Sequence, residues 1–276
     1  MPLANGFLAP DQFAGEYFFN LSAAYCPSCT LVQLVHQPER DRMFNDRYPF
    51  FTATSSRMQE HFAQLAREVM AAVPGDTLIV EIGSNDGSLL SVTGVRPDLV
   101  LTMGGGARDR SGIAKRLGIR TLDLPFPQTV ADVERGIALV GVALGRPDRA
   151  RALLSRIAGL ERTRPSGGTD TIWLGGGGRS VGVAGLAAEW MALAGFRQRA
   201  LRGDRVSLEQ LLVSPPRVLL RSDYRSGQYS GEQRWLSHPL ARGTRASRTI
   251  ATDGRRWTCM GPTMIDEIAR LREVRR

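Results

Sequence analysis

The sequence predicts an α/β protein in which a composite N-terminal α/β domain is joined by a long helix to a second α/β lobe. Short apolar runs, typical of buried strands, alternate with segments of helical periodicity, which is the pattern of parallel sheets covered by helices. Between 129 and 160 the apolar residues keep a period of about 3.6 residues, and this predicts the long helix.

A change of composition near residue 94 indicates a boundary. Residues 1–93 contain ten Asp and Glu against five Arg, a formal charge of −5, whereas residues 94–276 contain seventeen acidic and thirty-one basic residues, a formal charge of +14. Eight of the ten Phe precede this point and all four Trp follow it. Such a shift is typical of a domain or gene boundary.

The net charge of +9 does not by itself predict a nucleic-acid partner. The cations are scattered Arg with a single Lys, Lys115, and no interleaved aromatic stripe, so we expect no nucleic-acid binding. No apolar run reaches the ~18–20 residues of a membrane span. The first residues show no basic segment followed by an apolar one, so the chain as written is expected to be cytoplasmic.

Cys26 and Cys29 form a CPSC motif that can place two thiolates on one metal ion. A structural zinc site takes about four ligands, and the chain has no second CxxC nearby, so we expect an incomplete site or two free thiols. His36 is a third possible ligand, although a surface position is favoured for it.

A predicted helix begins at Ser55 or Ser56, which are good N-caps, and runs to about Ala72. The apolar strand 78–82 then leads into a polar glycine turn, the position at which α/β sheets bind ligands. Glycine there lets the backbone approach a nucleoside cofactor, although an ordinary strand-to-helix turn is the alternative. The candidate cofactor-binding residues are Glu81, Gly83, Ser84, Asn85, Asp86 and Gly87.

The strings PLANGFL, CPSCTLVQL, RYPFFTATSSRMQEHF and IVEIGSNDGSLL resemble, in order and spacing, the sugar C-methyltransferases. These are S-adenosylmethionine enzymes with a small zinc-binding N-terminal domain, and the resemblance covers residues 1–91. It implies that Cys26 and Cys29 match the second cysteine pair of the zinc site. It also implies that Gly83, Ser84, Asn85 and Gly87 match the S-adenosylmethionine loop.

The chain departs from that family in three ways. The first cysteine pair is not present, and the strand LVLTM is followed by three glycines instead of the carboxylate that binds the ribose. No counterpart of the catalytic base or the sugar-binding domain follows. Because methyl transfer to carbon needs a base, we assign no catalytic residue and do not favour an enzyme.

Residues 94–276 predict further α/β units. Strands are expected at 96–102, 119–122, 171–174 and 215–220, and helices at 111–117, 186–194, 208–212 and 261–272. Pro147 either opens a new helix or kinks the long one. The glycines at 175–178 lack the Gly-Lys-Ser/Thr ending of a phosphate loop, so we do not expect a nucleotide there.

The pattern RPDLVLTMGG…AKRLGI, a long helix, then WLGGGG…LAAEWMALAGF…VSLEQLLVSPPRVLL is similar to periplasmic solute-binding proteins of ABC importers for cobalamin, haem and ferric siderophores. The similarity covers 94–274 and implies two lobes with the ligand between them. It implies that Glu209 docks on the permease. Arginines and aromatics after strands would suit an anionic metal chelate. The candidate ligand-binding residues are Arg108, Arg179, Arg221, Tyr224 and Trp257, each of which taken singly is also compatible with a solvated surface position.

Together the two resemblances predict a fusion of two incomplete modules. Three functions stay open: an impaired solute-binding component of an ABC importer, periplasmic in type; a truncated S-adenosylmethionine-dependent sugar C-methyltransferase; and a chimera with neither activity. The expected segments are 1–75 (zinc-binding type and helix), 76–93 (start of the S-adenosylmethionine unit), 94–128 (remainder of the solute-binding N-lobe), 129–164 (linker helix) and 165–276 (C-lobe).

Overall fold

A computed structural model of the chain forms two compact units, Met1–Cys26 with Thr30–Phe126, and Pro27–Cys29 with Pro127–Arg276. The residues that the structure describes are 8–25, 27, 32–36, 38–39, 42, 55–73, 78–82, 99–103, 120–223, 235–243 and 245–275. Several predicted site residues lie outside them: Cys26, Cys29, Gly83, Ser84, Asn85, Asp86, Gly87, Arg108 and Tyr224.

In its described residues, the first unit contains a short 3-10 helix at Pro10–Gly15, two small sheets and one long helix. Strands β1 (Ala23–Tyr25) and β2 (Val32–Leu34) pair antiparallel, and β3 (Val80–Ile82), β4 (Leu99–Met103) and β5 (Arg120–Leu124) form a parallel sheet in the order β3-β4-β5. Helix α1 spans Ser56–Ala72. Its predicted cap is confirmed, because the Ser55 hydroxyl accepts a hydrogen bond from the Met58 N–H at 3.4 Å. His36, after β2, is exposed.

The second unit is a four-stranded parallel sheet covered by helices on both faces, which confirms the predicted α/β class. The strand order is β7-β6-β8-β9, with β6 at Thr169–Leu174, β7 at Phe196–Gln198, β8 at Val218–Asp223 and β9 at Arg248–Asp253. The helices are α2 (Val130–Ala143), α3 (Pro147–Arg162), α4 (Leu186–Ala194), α5 (Leu208–Val213), α6 (Pro239–Arg242), α7 (Gly254–Cys259) and α8 (Met264–Arg275).

Alternation along the strands builds one hydrophobic cluster on each face of this sheet, because successive side chains of a strand point to opposite faces. Leu220 packs in a cluster with Trp190 of α4 and Ile268 of α8. Its neighbour Leu219 packs in the other cluster with Leu211 of α5. Each large apolar side chain buried in this way contributes about 1.5–3 kcal/mol.

The long helical stretch is two packed helices. At Pro147, where the sequence leaves a kink or a new helix open, a new helix begins, because proline fits the first helical position, where its missing N–H is not needed. Gly145 before it has a φ of +62°, which ends α2. The helices pack closely: a Cβ on Gly141 would lie 2.4 Å from that of Ala150.

The last helix begins later than predicted. Residues 261–263 form a turn in which the Met264 N–H donates to the Gly261 carbonyl at 2.9 Å, so Pro262 precedes α8 instead of opening it. The sequence also missed β7, β9, α6 and α7, which are short and contain few apolar residues.

Candidate functional site

The candidate site is the edge of the second unit at which β6, β8 and β9 end, named here the carboxyl edge. In open α/β sheets, ligands bind beyond the carboxyl ends of the strands. The strands that reach this edge are in register, with Leu174 of β6 opposite Arg221 of β8, and Asp223 opposite Asp253 of β9.

The glycine run after β6 has a packing role. Gly177 and Gly178 have φ values of +64° and +73°, which favour glycine. A Cβ on Gly178 would lie 2.4 Å from the Val206 carbonyl oxygen. The carbonyls of this turn are used by the protein, since Gly177 accepts from the Arg205 guanidinium and Gly178 from the Val206 N–H, both at 2.9 Å.

Gln198, buried at the end of β7, anchors this turn to the sheet. Its amide oxygen accepts from the Trp173 N–H at 3.0 Å, and its amide nitrogen donates to the Ser180 hydroxyl at 2.9 Å and the Arg199 carbonyl at 3.0 Å. The Ser180 hydroxyl in turn donates to the Trp173 carbonyl at 2.6 Å. The turn is therefore held rigidly at the carboxyl edge, as a binding surface requires.

Two of the predicted ligand-binding arginines lie at this edge. Arg179 is exposed, and its carbonyl accepts from the N–H of Gly175, the residue that follows β6. Arg221 is half-buried on β8. The backbone thus brings Arg179 and Arg221 to the ends of neighbouring strands; their ligand-binding role stays a prediction.

Trp257 is a core side chain. It is 4% exposed, and its ring lies 6.0 Å from that of Trp173, centroid to centroid. Its indole N–H donates to the Thr252 hydroxyl at 2.6 Å, so its polar atom already has an acceptor. Its role in the structure is packing, in contrast to the predicted ligand contact, because α7 turns it inward onto the sheet.

Behind Trp257 lies a buried polar network that the sequence reasoning missed. The Thr252 hydroxyl donates to Glu267 Oε1 at 2.5 Å, and Arg270 donates to both oxygens of Glu267, at 2.6 and 3.1 Å. Burial acts to raise the pKa of Glu267, but these hydrogen bonds from Arg270 and Thr252 outweigh it and hold the pKa below its ordinary value. The carboxylate is therefore ionised inside the unit, and the network ties α8 to β9.

Arg255 adds a third cation to the carboxyl edge that the sequence reasoning also missed. Asp253, the last residue of β9, caps α7 by accepting from the Arg255 N–H, and it pairs with the Arg255 guanidinium. The hydrogen bond from this side chain lowers the pKa of Asp253 although burial opposes it. The available signal in the sequence was the string DGRR at 253–256, in which an acidic residue and a glycine precede two arginines.

Glu209, the predicted permease-docking residue, is exposed in the first turn of α5. Ser207 caps this helix, accepting from the Gln210 N–H at 3.2 Å. The hydrogen bond with the Ser207 side chain, and then the helix backbone, lower the pKa of Glu209. Glu209 therefore presents a negative charge to solvent at neutral pH.

A separate cavity of about 420 Å³ lies beside α4, lined in part by Glu161, Arg164 and Gly185. Glu189, which also lines this cavity, accepts a hydrogen bond from the Val130 N–H at 2.7 Å and so caps α2 from outside the helix. Burial, followed by the charge of Glu161, raises the pKa of nearby Glu134.

No cluster of three or more metal-binding side chains occurs among the described residues. Cys26 and Cys29 lie outside them, so the zinc role of this pair stays a prediction. Within the described part of the chain, none of the helices has the length and apolar character needed to cross a bilayer.

Residues 1–44 match a methyltransferase-associated family model described as "Putative zinc binding domain". The structure is similar to the periplasmic haem-binding protein BhuT in complex with two haems, at a TM-score of 0.51 and 20% identity over 76% of this chain and 94% of that chain. A periplasmic haem-binding protein from Pseudomonas aeruginosa is similar at a TM-score of 0.44 and 20% identity, over 69% of this chain and 75% of that chain. The siderophore-binding protein BauB, bound to a complex of two acinetobactin molecules and ferric iron, is similar at a TM-score of 0.47 and 16% identity, over 64% of this chain and 71% of that chain.

The likeness to BhuT shows a mixed α/β fold of the periplasmic binding protein type. The two resemblances inferred from the sequence are therefore confirmed. The family model matches a zinc-binding domain in residues 1–44, and the structure has the fold of the periplasmic binding proteins. No curated protein matches the chain.

Proposed function

We propose that this chain is the solute-binding component of an ABC importer and that its ligand is an anionic metal chelate of the haem or ferric-siderophore type. The observation that carries the proposal is the extent of the fold likeness, which takes in 94% of a haem-binding protein. The carboxyl edge supports it, because parallel sheets bind ligands there. By the same likeness the working compartment is the periplasm.

The charge of the carboxyl edge supports an anionic ligand. Arg179 and Arg221 lie at the ends of neighbouring strands, β6 and β8, whereas the nearby Arg255 is already paired with Asp253. A guanidinium matches the paired oxygens of a carboxylate, such as a haem propionate or an acidic siderophore group. The rigid glycine turn would then supply a fixed wall against which a flat ligand packs.

The test is a titration of the full chain with hemin, followed by haem absorbance and tryptophan fluorescence. Replacing one guanidinium that contacts the ligand removes a charged hydrogen bond, so Arg221→Ala should weaken hemin binding by about 10- to 100-fold. Arg149→Ala, at an exposed position on α3, is the matched control and should bind as the wild type does. Flat titrations with hemin, a ferric catecholate siderophore and cyanocobalamin would refute the proposal.

Transport requires docking on the permease, and Glu209 is the proposed contact. Its exposed, ionised carboxylate fits an arginine of the permease. Glu209→Lys should therefore abolish binding to the reconstituted permease and leave hemin affinity unchanged. Loss of hemin affinity in this variant would contradict a role confined to docking.

A second candidate function is S-adenosylmethionine-dependent methyl transfer to a sugar carbon, favoured by the match of residues 1–44 to a methyltransferase-associated domain. The parallel pairing of β3 with β4 is compatible with a nucleoside-binding unit. Calorimetric titration with S-adenosylmethionine separates the two functions. Micromolar binding of S-adenosylmethionine would favour the methyltransferase. If neither S-adenosylmethionine nor hemin gives a detectable heat of binding, a chain with neither activity is favoured.

A further inference from the structure

A row of exposed arginines lies at the opposite edge of the four-stranded sheet, where its strands begin. These residues are named here the basic edge: Arg197, Arg217, Arg242, Arg245 and Arg248. Parallel strands begin at one edge, so the register places them together, with Arg197 opposite Asp170 of β6 and Arg248 opposite Val218 of β8. The Arg248 N–H donates to the Arg217 carbonyl at 3.0 Å.

Structural needs account for only part of the positive charge here. Helices α3, α4 and α8 end near this edge, and their last carbonyls carry partial negative charge. Arg272 donates to the carbonyls of Leu160 and Leu193, and Arg275 donates to that of Gly195 at 2.9 Å. Arg248 donates to the carbonyl of Arg275 at 3.1 Å. These bonds neutralise the helix ends and leave the rest of the basic edge unbalanced.

Acidic side chains offset part of the remainder. In the described parts of the segments that build the edge, the acids are Asp170 of β6, Glu273 of α8, Glu161 in the last turn of α3 and Glu209 in the first turn of α5. Asp170 is held by Arg199, which donates to Oδ1 at 3.1 Å and also to Oδ2. The hydrogen bond from Arg199, outweighing the effect of burial, lowers the pKa of Asp170, so this pair is internally neutral.

Exposed apolar side chains stand beside the arginines. Leu212 is 63% exposed and Val213 is 83% exposed at the end of α5, and Val274 is exposed in the last turn of α8. The Arg199 guanidinium fixes the end of α5 to this edge by donating to the Ser214 carbonyl at 2.6 Å. Two adjacent aliphatic side chains next to a row of guanidiniums form an amphipathic surface.

We propose that the basic edge, with Leu212 and Val213, docks on an anionic phospholipid bilayer. Guanidiniums pair with lipid phosphates, and the aliphatic side chains enter the boundary between headgroups and acyl chains. The cations lie at the beginnings of β7, β8 and β9 and in the segment before β9, with neighbouring strands of the sheet about 4.8 Å apart, which fits a planar array of headgroups better than a single small anion. The exposed apolar side chains fit a bilayer and have no use on a nucleic acid. This inference is independent of the proposed function, because it needs neither a bound chelate nor a permease.

The experiment is co-sedimentation of the full chain with vesicles of equimolar phosphatidylglycerol and phosphatidylcholine, compared with vesicles of phosphatidylcholine alone. The protein should bind the anionic vesicles, and more weakly as salt rises. The triple variant Arg197→Gln, Arg217→Gln, Arg245→Gln should lower the partition coefficient by about 100-fold, since each basic residue near an anionic surface contributes about fivefold.

The matched control removes the same charge at the far end of α3, by Arg146→Gln, Arg149→Gln, Arg151→Gln. Helix α3 has sixteen residues, so these positions lie about 20 Å from its edge-facing end. The partition coefficient of this control variant should stay near that of the wild type. An equal loss in the control would overturn the proposal, because only net charge would then be involved.

A second pair of variants tests the apolar contribution without altering charge. Leu212→Ser with Val213→Ser should lower vesicle binding by about tenfold, whereas Val142→Ser, at an exposed position on α2, should not. Absence of vesicle binding at low salt would refute the proposal. Tighter binding to duplex DNA than to vesicles would also refute it, if that binding were lost in the triple arginine variant and kept in the Leu212→Ser, Val213→Ser variant. Release of the protein from vesicles by inorganic phosphate, at a concentration equal to that of the lipid, would refute it as well.

Discussion

Arg272 joins three helix ends, and its removal should measurably destabilise the second unit. Its Nε donates to the Leu193 carbonyl at the end of α4 at 2.7 Å, and its Nη1 donates to the Thr163 hydroxyl at 2.7 Å. Its Nη2 donates to the Leu160 carbonyl at the end of α3. Burial, and then the charge of Arg275, lower the pKa of Arg272, but a guanidinium stays protonated at neutral pH.

In Arg272→Met the apolar stem is kept and the three hydrogen bonds are lost. A hydrogen bond from a charged donor contributes about 1.5–3 kcal/mol, but water will replace part of the loss at these half-exposed helix ends, so we expect about 2–3 kcal/mol in total. For a unit of this size that corresponds to a fall in Tm of about 4–10 °C. The lysine in Arg272→Lys can reach one carbonyl at a time, so the stability of this variant should lie between that of the wild type and that of Arg272→Met.

The assay is urea unfolding of the full chain, followed by far-UV circular dichroism and by the fluorescence of its four tryptophans, of which Trp190 is one. This indole is buried and donates to the Met260 carbonyl at 3.1 Å, so it reports on the packing of α4. The control is Arg151→Met on α3; the Arg151 side chain is 74% exposed and pairs with Asp148 of the same helix. Such a pair contributes about 0–1 kcal/mol. If both variants unfold at the same urea concentration, the bridging role of Arg272 is refuted.

Two further changes test the carboxyl edge. Glu267 has a pKa below its ordinary 4.5, so its pairing with Arg270 stabilises the fold above that pH and is lost on acidification through the lowered pKa. The destabilisation caused by Glu267→Gln, measured by urea unfolding across pH, should therefore be large at neutral pH and shrink in acid; a pH-independent difference would contradict this. Gly178→Ala should cost about 2 kcal/mol or more, because its φ is positive and the new Cβ would meet the Val206 carbonyl oxygen. Gly159→Ala, in open space on α3, should stabilise by about 0.5–1 kcal/mol, and equal melting temperatures for the two would refute the steric argument.

Elements with local start and stop signals could be predicted from the sequence. Helix α4 was predicted at 186–194, and the structure has Leu186–Ala194, closed by Gly195 at a φ of +85°. Ser207 caps α5 as predicted, with its hydroxyl accepting from the Gln210 N–H. These signals depend on the conformational preferences of one or two residues, so they act before any tertiary contact forms.

The strands β7 and β9 could not be predicted in this way. Their sequences, FRQ and RTIATD, contain charged and polar residues and no apolar run. They are strands because β6 and β8 offer hydrogen-bonding partners on each side, and this pairing outweighs weak intrinsic propensity. The Thr252–Glu267 contact was hidden for the same reason, since Thr252 belongs to the unpredicted strand β9.

Trp257 illustrates the same limit at the candidate site. A tryptophan after a strand fits either a ligand surface or a core, and sequence spacing does not separate the two. Packing of α7 against the sheet buries it, whereas Arg179 and Arg221 stay at the carboxyl edge. The sequence alone therefore predicts which arginines reach the strand ends, and their ligand-binding role stays a prediction, but it does not determine whether Trp257 faces the core or the edge.

The sequence by itself determined the α/β class, the change of character near residue 94, and the resemblance of the two parts to two kinds of protein, because periodicity, capping residues and composition are local properties. Tertiary structure decided which residues share an edge. Parallel pairing of β7, β6, β8 and β9 gathers arginines from distant parts of the chain at the beginnings of the strands and others at their ends. Strand order and register fix that distribution, and neither follows from the spacing of residues along the chain.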